Sequence, residues 1–223
     1  MNQKWLIDLV ARRILNMEFH TPLLVGIDGI DASGKTIFGN SLASRLHESG
    51  RQIIRASIDG FHFSRSVRYQ RGKNSPEGYY FDSFDYTTFR SALLDPLLNN
   101  GSRTVRTHMF DYLLDAPDET PLQKVEENSI LVMDGIFLFR PQLVKYWNIK
   151  IFLDISFDVS MERGAKRDTG YIPSFEEAIE RYQKRYLPAQ KIYLHEAQPK
   201  KIADIVIDNN DVDDPKLLNP QVL

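Results

Sequence analysis

The stretch that most constrains this chain is Gly29-Ile-Asp-Ala-Ser-Gly34-Lys35-Thr36, which fits the spacing G-x-x-x-x-G-K-[ST] in full. The apolar run "PLLVGIDG" precedes it, and a helical pattern from about Lys35 to Glu48, ended by Gly50, follows it. A buried strand, a loop and a helix N-terminus must therefore meet at one point. The glycines let the loop curl so that consecutive backbone N–H groups point inward at an anion. The helix adds its positive N-terminal end. Lys35 supplies a charge for the β- and γ-phosphates, and Thr36 a hydroxyl for Mg²⁺. The cofactor-binding residues expected here are Gly29, Asp31, Ala32, Ser33, Gly34, Lys35, Thr36 and Ile37, and the cofactors ATP and Mg²⁺. The plainer alternative is a glycine turn joining strand to helix. Four constrained positions in the right context favour phosphate binding over it.

The rest of the chain alternates strands with helices. Leu6, Leu9, Val10, Ile14 and Met17 recur at helical spacing, which predicts an amphipathic helix over 2–19. "RQIIRASID", "RTVRTHMF", "SILVMDGIF", "IKIFLDIS" and "ADIVID" read as strands. "TTFRSALLDPLL" reads as a helix capped by Thr87, and "DVSMERGAKRDTG" as a charged helix ended by Gly170. "SFEEAIERYQKRYL" opens on a capping box, Ser174 with Glu177, and runs to Pro188. This order predicts an α/β three-layer sandwich of the P-loop NTPase type. A mostly parallel five-stranded sheet would carry helices on both faces. One domain is expected over 1–223, with an aromatic, glycine-broken insertion at about 60–86 on the acceptor side and a helical lid at about 160–187.

Composition excludes several classes. Net charge is −2, from 28 basic and 30 acidic residues, so no basic footprint for nucleic acid is present. There are no cysteines, which rules out thiolate catalysis and disulfides. No apolar run reaches the length of a membrane span. Asp8, Arg12 and Arg13 interrupt the N-terminal segment, unlike the core of a signal peptide. The expected setting is cytoplasmic, with a small-molecule hydroxyl acceptor as partner, no nucleic acid, no membrane, and a homo-oligomer left open.

A phosphate loop needs a carboxylate at the end of another strand to hold Mg²⁺, and Asp134 in "ILVMDG" is placed for it. Asp59 ends the second strand, and ligands of open α/β sheets sit beyond the carboxyl ends of the strands. There it can accept a proton from an attacking hydroxyl or help hold the metal. Either aspartate also suits an ordinary turn. The metal set expected is Thr36, Asp59 and Asp134. Phe61, Phe63, Tyr79, Tyr80, Phe81, Phe84 and Tyr86 form an aromatic cluster near His62. Most belong in a core, and Phe61, His62 and Tyr80 are the candidates to touch a flat substrate. Among the late basic residues, most read as a solvated face. Arg163 and Arg167, four apart on one helix face, are the candidates to meet phosphoryl oxygens.

Together these motifs resemble the uridine kinase branch of the phosphoribulokinase and uridine kinase superfamily. The likeness runs from about Leu23 to Asp211, through "GIDGIDASGKT", "SIDGFHFSR", "FDSFDYTTFRSALLDPL", "RTHMFDYLLD", "LVMDGIFLF", "LDISFDVSMERGAKRD" and "ADIVIDN". It implies Asp59 as general base close to Mg²⁺, Asp85 on the ribose hydroxyls of a nucleoside, Tyr112 near the base and Arg167 as a lid arginine. Catalysis would then rest on Asp59, Lys35 and Arg167. The chain departs from the family at His108-Met109-Phe110-Asp111, where a proline usually precedes a Tyr-Asp pair, and in the length of "RGKNSPEGYYFDS". The resemblance implies γ-phosphoryl transfer from ATP to a small hydroxyl, with uridine or cytidine first. Pantothenate, nicotinamide riboside or a sugar are alternatives, and a nucleotide-switch ATPase is a more distant one.

Overall fold

The computed structural model describes residues 3–170 and 172–219. Helix α1 (Gln3–Leu15) buries the stripe Leu6, Ile7, Val10, Ala11 and Ile14. It stops short of the expected residue 19, and residue 2 lies outside the described residues. Its last turn tightens through a bond from Met17 N to Ile14 O. Met17 and Phe19 still pack on the same core, which is why their spacing imitates a longer helix.

Strand β1 (Leu23–Gly29) is buried along its whole length and feeds the loop that opens α2 (Lys35–His47). Strand β2 (Ile53–Ser57) follows. The insertion holds three short helices, α3 (Arg65–Arg68), α4 (Pro76–Asp82) and α5 (Tyr86–Phe89). Asp85 rather than Thr87 caps α5, accepting from Thr88 N at 3.0 Å and Thr88 Oγ1 at 2.7 Å. The chain then widens into a π-helical turn, Arg90–Leu94.

Four two-residue strands stand outside the main sheet. These are β3 (Thr104–Val105), β4 (Phe110–Asp111), β5 (Ala116–Pro117) and β6 (Gln123–Lys124), paired β3–β6 and β4–β5. The long strand expected at "RTVRTHMF" is therefore two short pieces, and neither joins the main sheet. Strands β7 (Ile130–Asp134) and β8 (Ile149–Asp154) return to it. Helices α6 (Phe157–Asp168) and α7 (Phe175–Arg181) follow, the latter capped by Ser174 Oγ accepting from Glu177 N. The helix does not end at Pro188. A π-helical turn, Tyr182–Tyr186, carries it into α8 (Leu187–Ala197), with Pro188 in the first turn. A proline clashes with the carbonyl four residues back in a regular helix, and a first-turn position after a wide turn avoids that conflict. Helix α9 (Pro199–Ile202), strand β9 (Ile205–Asp208) and strand β10 (Lys216–Leu217) complete the chain.

The main sheet runs β10-β9-β8-β1-β7-β2. Five strands are parallel, as expected, and β10 adds an antiparallel edge too short to read from sequence. Alternate side chains face opposite sides. Leu23, Val25, Ile27, Val132 and Ile151 meet α1 and α2, whereas Leu24, Leu131, Met133 and Phe152 meet the aromatic layer of the insertion and α8. Connections leave β1 toward β2 on one side and β7 toward β8 on the other. The strand order reverses between β1 and β7, and a crevice opens there beyond their carboxyl ends. In register, Asp134 lies beside Ile27 of β1 and Ser57 of β2, so the loop, Asp134 and Asp59 share that edge.

Candidate active site

The loop after β1 is shaped before any ligand arrives. A Cβ on Gly29 would lie 2.5 Å from Leu153 O and 2.6 Å from Ser33 Oγ, so only glycine fits between β8 and the loop. Ala32 and Gly34 take left-handed backbone, with φ of 58° and 89°. Asn209 Nδ2 donates to Ser33 O at 2.7 Å and Ser160 Oγ to Asp31 O at 2.7 Å, pinning the loop from β9 and α6. Among the described residues, the amides of Ala32, Gly34, Lys35 and Thr36 donate to no protein group. Free amides at a helix start form an anion cradle. Lys35 Nζ donates to Ile30 O at 2.7 Å and Ser33 Oγ at 3.3 Å, which holds it within the loop. Burial pulls the Lys35 pKa down, and Asp31, Asp28, Asp134 and Asp59 oppose that pull.

Asp134 is 2% exposed at the end of β7. Its Oδ2 accepts from Thr36 Oγ1 at 2.7 Å and its Oδ1 pairs with Arg55 Nη2 at 2.6 Å. Asp59 is exposed to the crevice, with protein packed around its other sides. Burial first, then the nearby Asp134 carboxylate, pushes its pKa up to about 6. A hydroxyl and two mutually repelling carboxylates are hard oxygen donors of the kind Mg²⁺ takes when it also binds substrate phosphates. The residues present therefore fit Mg²⁺.

Two cavities meet at this edge. The loop-side cavity, about 450 Å³, is lined by Asp31, Ala32, Gly34, Lys35, Thr36 and Ile37 together with Asp134 and Arg163. The second, about 850 Å³, lies between the insertion and helices α6 and α7. Asp31, Asp59, His62, Tyr79 and Arg167 line both, so they form the junction. Asp31 accepts from Tyr79 Oη at 3.0 Å and from Gln190 Nε2, and burial raises its pKa. His62 stacks on Tyr112, with centroids 4.7 Å apart, and packs against Phe84. Burial pushes its pKa down to about 3, which keeps the ring neutral. Arg167 pairs with Asp168 at 2.8 Å and reaches Tyr182 Oη at 3.4 Å.

The structure brings most of the residues expected from sequence to these two cavities. Asp31, Ala32, Gly34, Lys35, Thr36, Ile37, Asp59, His62, Asp134, Arg163 and Arg167 line one or both. Tyr112 lines the larger. Gly29 and Ser33 lie beneath the loop and set its shape. Three expected substrate residues line neither cavity. Phe61 is 1% exposed against Phe89, Tyr80 is 1% exposed with its hydroxyl donating to Glu196, and the Asp85 carboxylate is taken up in capping α5. The guanidinium of Arg163 is held by the carbonyls of Asn209 and Asn210, at 2.9 and 2.6 Å, so it braces the loop after β9.

Sequence reasoning missed four groups. Asp28 is fully buried and accepts from Gly29 N at 2.6 Å, Phe139 N at 3.1 Å and Tyr193 Oη; burial pushes its pKa up to about 6. Arg55 is the partner of Asp134. Arg68 and Arg185 line the larger cavity, and Arg185, read from its helical pattern as a solvated residue, is 3% exposed. A signal for Arg68 existed in "SRSVRYQR", where three arginines recur at three-residue spacing.

Comparison with known proteins agrees with this geometry. The Phosphoribulokinase / Uridine kinase family profile matches residues 24–214. Uridine kinase-like protein 5 of Arabidopsis thaliana is 26% identical over 190 residues, which are 83% of this chain and 39% of that protein. A uridine kinase of Leuconostoc citreum is 28% identical over 151 residues, 66% of this chain and 69% of that one. The chain thus spans about two fifths of the plant relative's length. A solved structure described as a possible uridine kinase from Bacillus stearothermophilus superposes with a TM-score of 0.72 at 23% identity. The match covers 90% of this chain and 96% of that one, and speaks to the fold.

Proposed function

The chain belongs to the phosphoribulokinase/uridine kinase family, and from that premise we propose that it is a cytoplasmic, Mg²⁺–ATP-dependent kinase of a small hydroxyl compound. The observation that carries this reading is the junction: Asp59 and Arg167 line both the phosphate-loop cavity and the larger cavity beside it. A phosphoryl group leaving the first would enter the second between a carboxylate and a guanidinium.

The free amides from Ala32 to Thr36 and Lys35 Nζ would hold the donor phosphates. Thr36 and Asp134, with Asp59 nearby, would hold Mg²⁺, which when bound neutralises charge on the β- and γ-oxygens. Asp59 orients the acceptor hydroxyl and takes its proton as the new O–Pγ bond forms and the bond from Pγ to the bridging oxygen of ADP breaks. Without the metal the Asp59 carboxyl is raised to about 6, and Mg²⁺ beside it would lower that, so it is ionised at pH 7. Arg167 meets the equatorial oxygens of the transferring group. Helices α6 and α7, closing over the junction, exclude water that would otherwise take the phosphoryl group.

The names of the relatives, which include a uridine-cytidine kinase of Dictyostelium discoideum, put nucleosides such as uridine and cytidine first among acceptors, and the stacked pair His62–Tyr112 supports a flat ring there. Pantothenate, nicotinamide riboside and sugars remain to be compared. The test is a coupled ADP-release screen over these compounds, with product mass confirming each hit. Lys35→Ala is expected to abolish stimulated release. Near-normal turnover in that variant removes the loop from the donor site.

A further inference from the structure

The part of the larger cavity not shared with the phosphate loop is lined by five cations, Arg65, Arg68, Lys73, Arg181 and Arg185. Among the described residues, the only carboxylate there, Asp168, is already paired with Arg167 at 2.8 Å. In a chain of net charge −2 this is a marked local excess. Among the described residues, Arg65, Lys73, Arg181 and Arg185 make no ion pair, and the contact of Arg68 with Asp115 is long, 3.4 Å. Arg68 is only 8% exposed, and its Nε is buried without a hydrogen-bond partner. Arg185 is 3% exposed and donates only to backbone carbonyls of Arg68, Gly72, Lys73 and Ser75.

Burying guanidinium groups without counter-charge costs stability, and an orphaned buried donor adds to that cost. An anion in the cavity would supply the missing counter-charge. Arginine's planar fork suits two-point binding of carboxylate or phosphate oxygens. We propose that this end of the cavity is an anion site, so that the acceptor is a hydroxyl compound carrying a phosphate or carboxylate. Its hydroxyl would lie at Asp59 and its anionic group among Arg65, Arg68 and Arg185. The acceptor claim deepens the kinase reading, rests on it, and puts anionic acceptors ahead of neutral nucleosides; the anion site itself does not rest on it.

Acceptors offered in matched pairs test it: pantothenol against pantothenate, ribose against ribose 5-phosphate, uridine against uridine 3′-phosphate. At least one anionic member is expected to show kcat/KM at least about tenfold above its neutral partner, the size of one charge-assisted hydrogen bond. Which member wins separates carboxylate from phosphate. Arg68→Gln is expected to remove most of that ratio by raising KM for the anionic member. A neutral member that equals or exceeds its partner in every pair overturns the proposal.

A second arm does not depend on turnover. Inorganic phosphate is titrated calorimetrically into protein saturated with a non-hydrolysable ATP analogue, so that the loop is already filled. Binding is expected. It should weaken at least about tenfold in Arg68→Gln and in the double variant Arg65→Ala, Lys73→Ala, whose two side chains are exposed and whose fold is not at risk. Phosphate binding without phosphorylation of any acceptor upholds the anion site and overturns the kinase reading. No binding by the loaded protein, or equal binding by the variants, overturns the anion site.

Discussion

Replacing Gly164 with alanine tests how the helices over the candidate active site are held. Gly164 faces Tyr182, which is fully buried in the π-helical turn between α7 and α8. A Cβ at residue 164 would lie 1.8 Å from Tyr182 Oη and 2.1 Å from its Cζ. Ordinary contact begins near 3.4 Å, so Tyr182 and α6 must separate by about 3.4 − 1.8 = 1.6 Å. Overpacking of this kind costs about 1–3 kcal/mol, and the better helix propensity of alanine offsets up to about 1 kcal/mol of it. Among the described residues, only Ala165, Ile172, Ala178 and Ile179 form the apolar cluster between α6 and α7, so the strain has little packing to absorb it. Tyr182 also contacts Arg167, and a shift of about 1 Å at such a group can cost about a hundredfold in rate. The assay pairs thermal unfolding with kcat, and adds hydrogen exchange across 175–186. Expected are a lower Tm, by about 2–4 °C for each kcal/mol lost, faster exchange in that segment, and kcat down at least about tenfold with ATP still bound. A variant with the Tm, exchange and kcat of the parent refutes the packing argument.

Three further outcomes follow from the charges at the site. The rate should rise with pH, with a midpoint above 3.8 and no higher than about 6, because Asp59 must be ionised to take the hydroxyl proton; a rate that rises toward acid contradicts this. Asp134→Ala leaves Thr36 without its acceptor and Arg55 without its counter-charge. A Mg²⁺ titration of activity should shift at least about tenfold upward, and denaturant unfolding should show a loss of about 2 kcal/mol. Asp28 has a folded pKa near 6 against 3.8 in the unfolded chain, so the native state binds the extra proton between those values. The stability of the parent relative to Asp28→Asn should therefore fall as pH rises from about 4 to about 6, by up to about 3 kcal/mol in paired denaturation curves. A difference that stays constant with pH would falsify the buried-carboxylate assignment.

The phosphate-loop half of the candidate site was legible because its information is local. Spacing within eight residues set the loop, and an apolar run ending in aspartate set Asp134. The five parallel strands were legible for the same reason. The acceptor half was not, because its signals depend on which face of the chain the tertiary fold buries. Most of the seven aromatic residues in the insertion read as core, but the sequence does not say which few face a cavity. Phe61 and Tyr80 proved to be core, whereas Tyr79 reaches Asp31 at the junction. Arg185 sits in a charged helical pattern, but the π-helical turn places it inside, against the carbonyls of the insertion. Asp85, which the resemblance put on ribose hydroxyls, is taken up by Thr88 in capping α5. Strand β10, at two residues, leaves no periodicity to detect.

The most direct measurement compares the parent with Asp59→Asn in two readouts on one sample: MgATP affinity by calorimetry, and transfer to the best acceptor in a single turnover. Transfer should fall at least about a hundredfold, as for loss of a general base, while MgATP affinity stays within about threefold. Transfer within tenfold of the parent, or a loss explained wholly by weaker MgATP binding, would mean that the proton is not taken at Asp59 and that the junction of the two cavities is not where the phosphoryl group crosses.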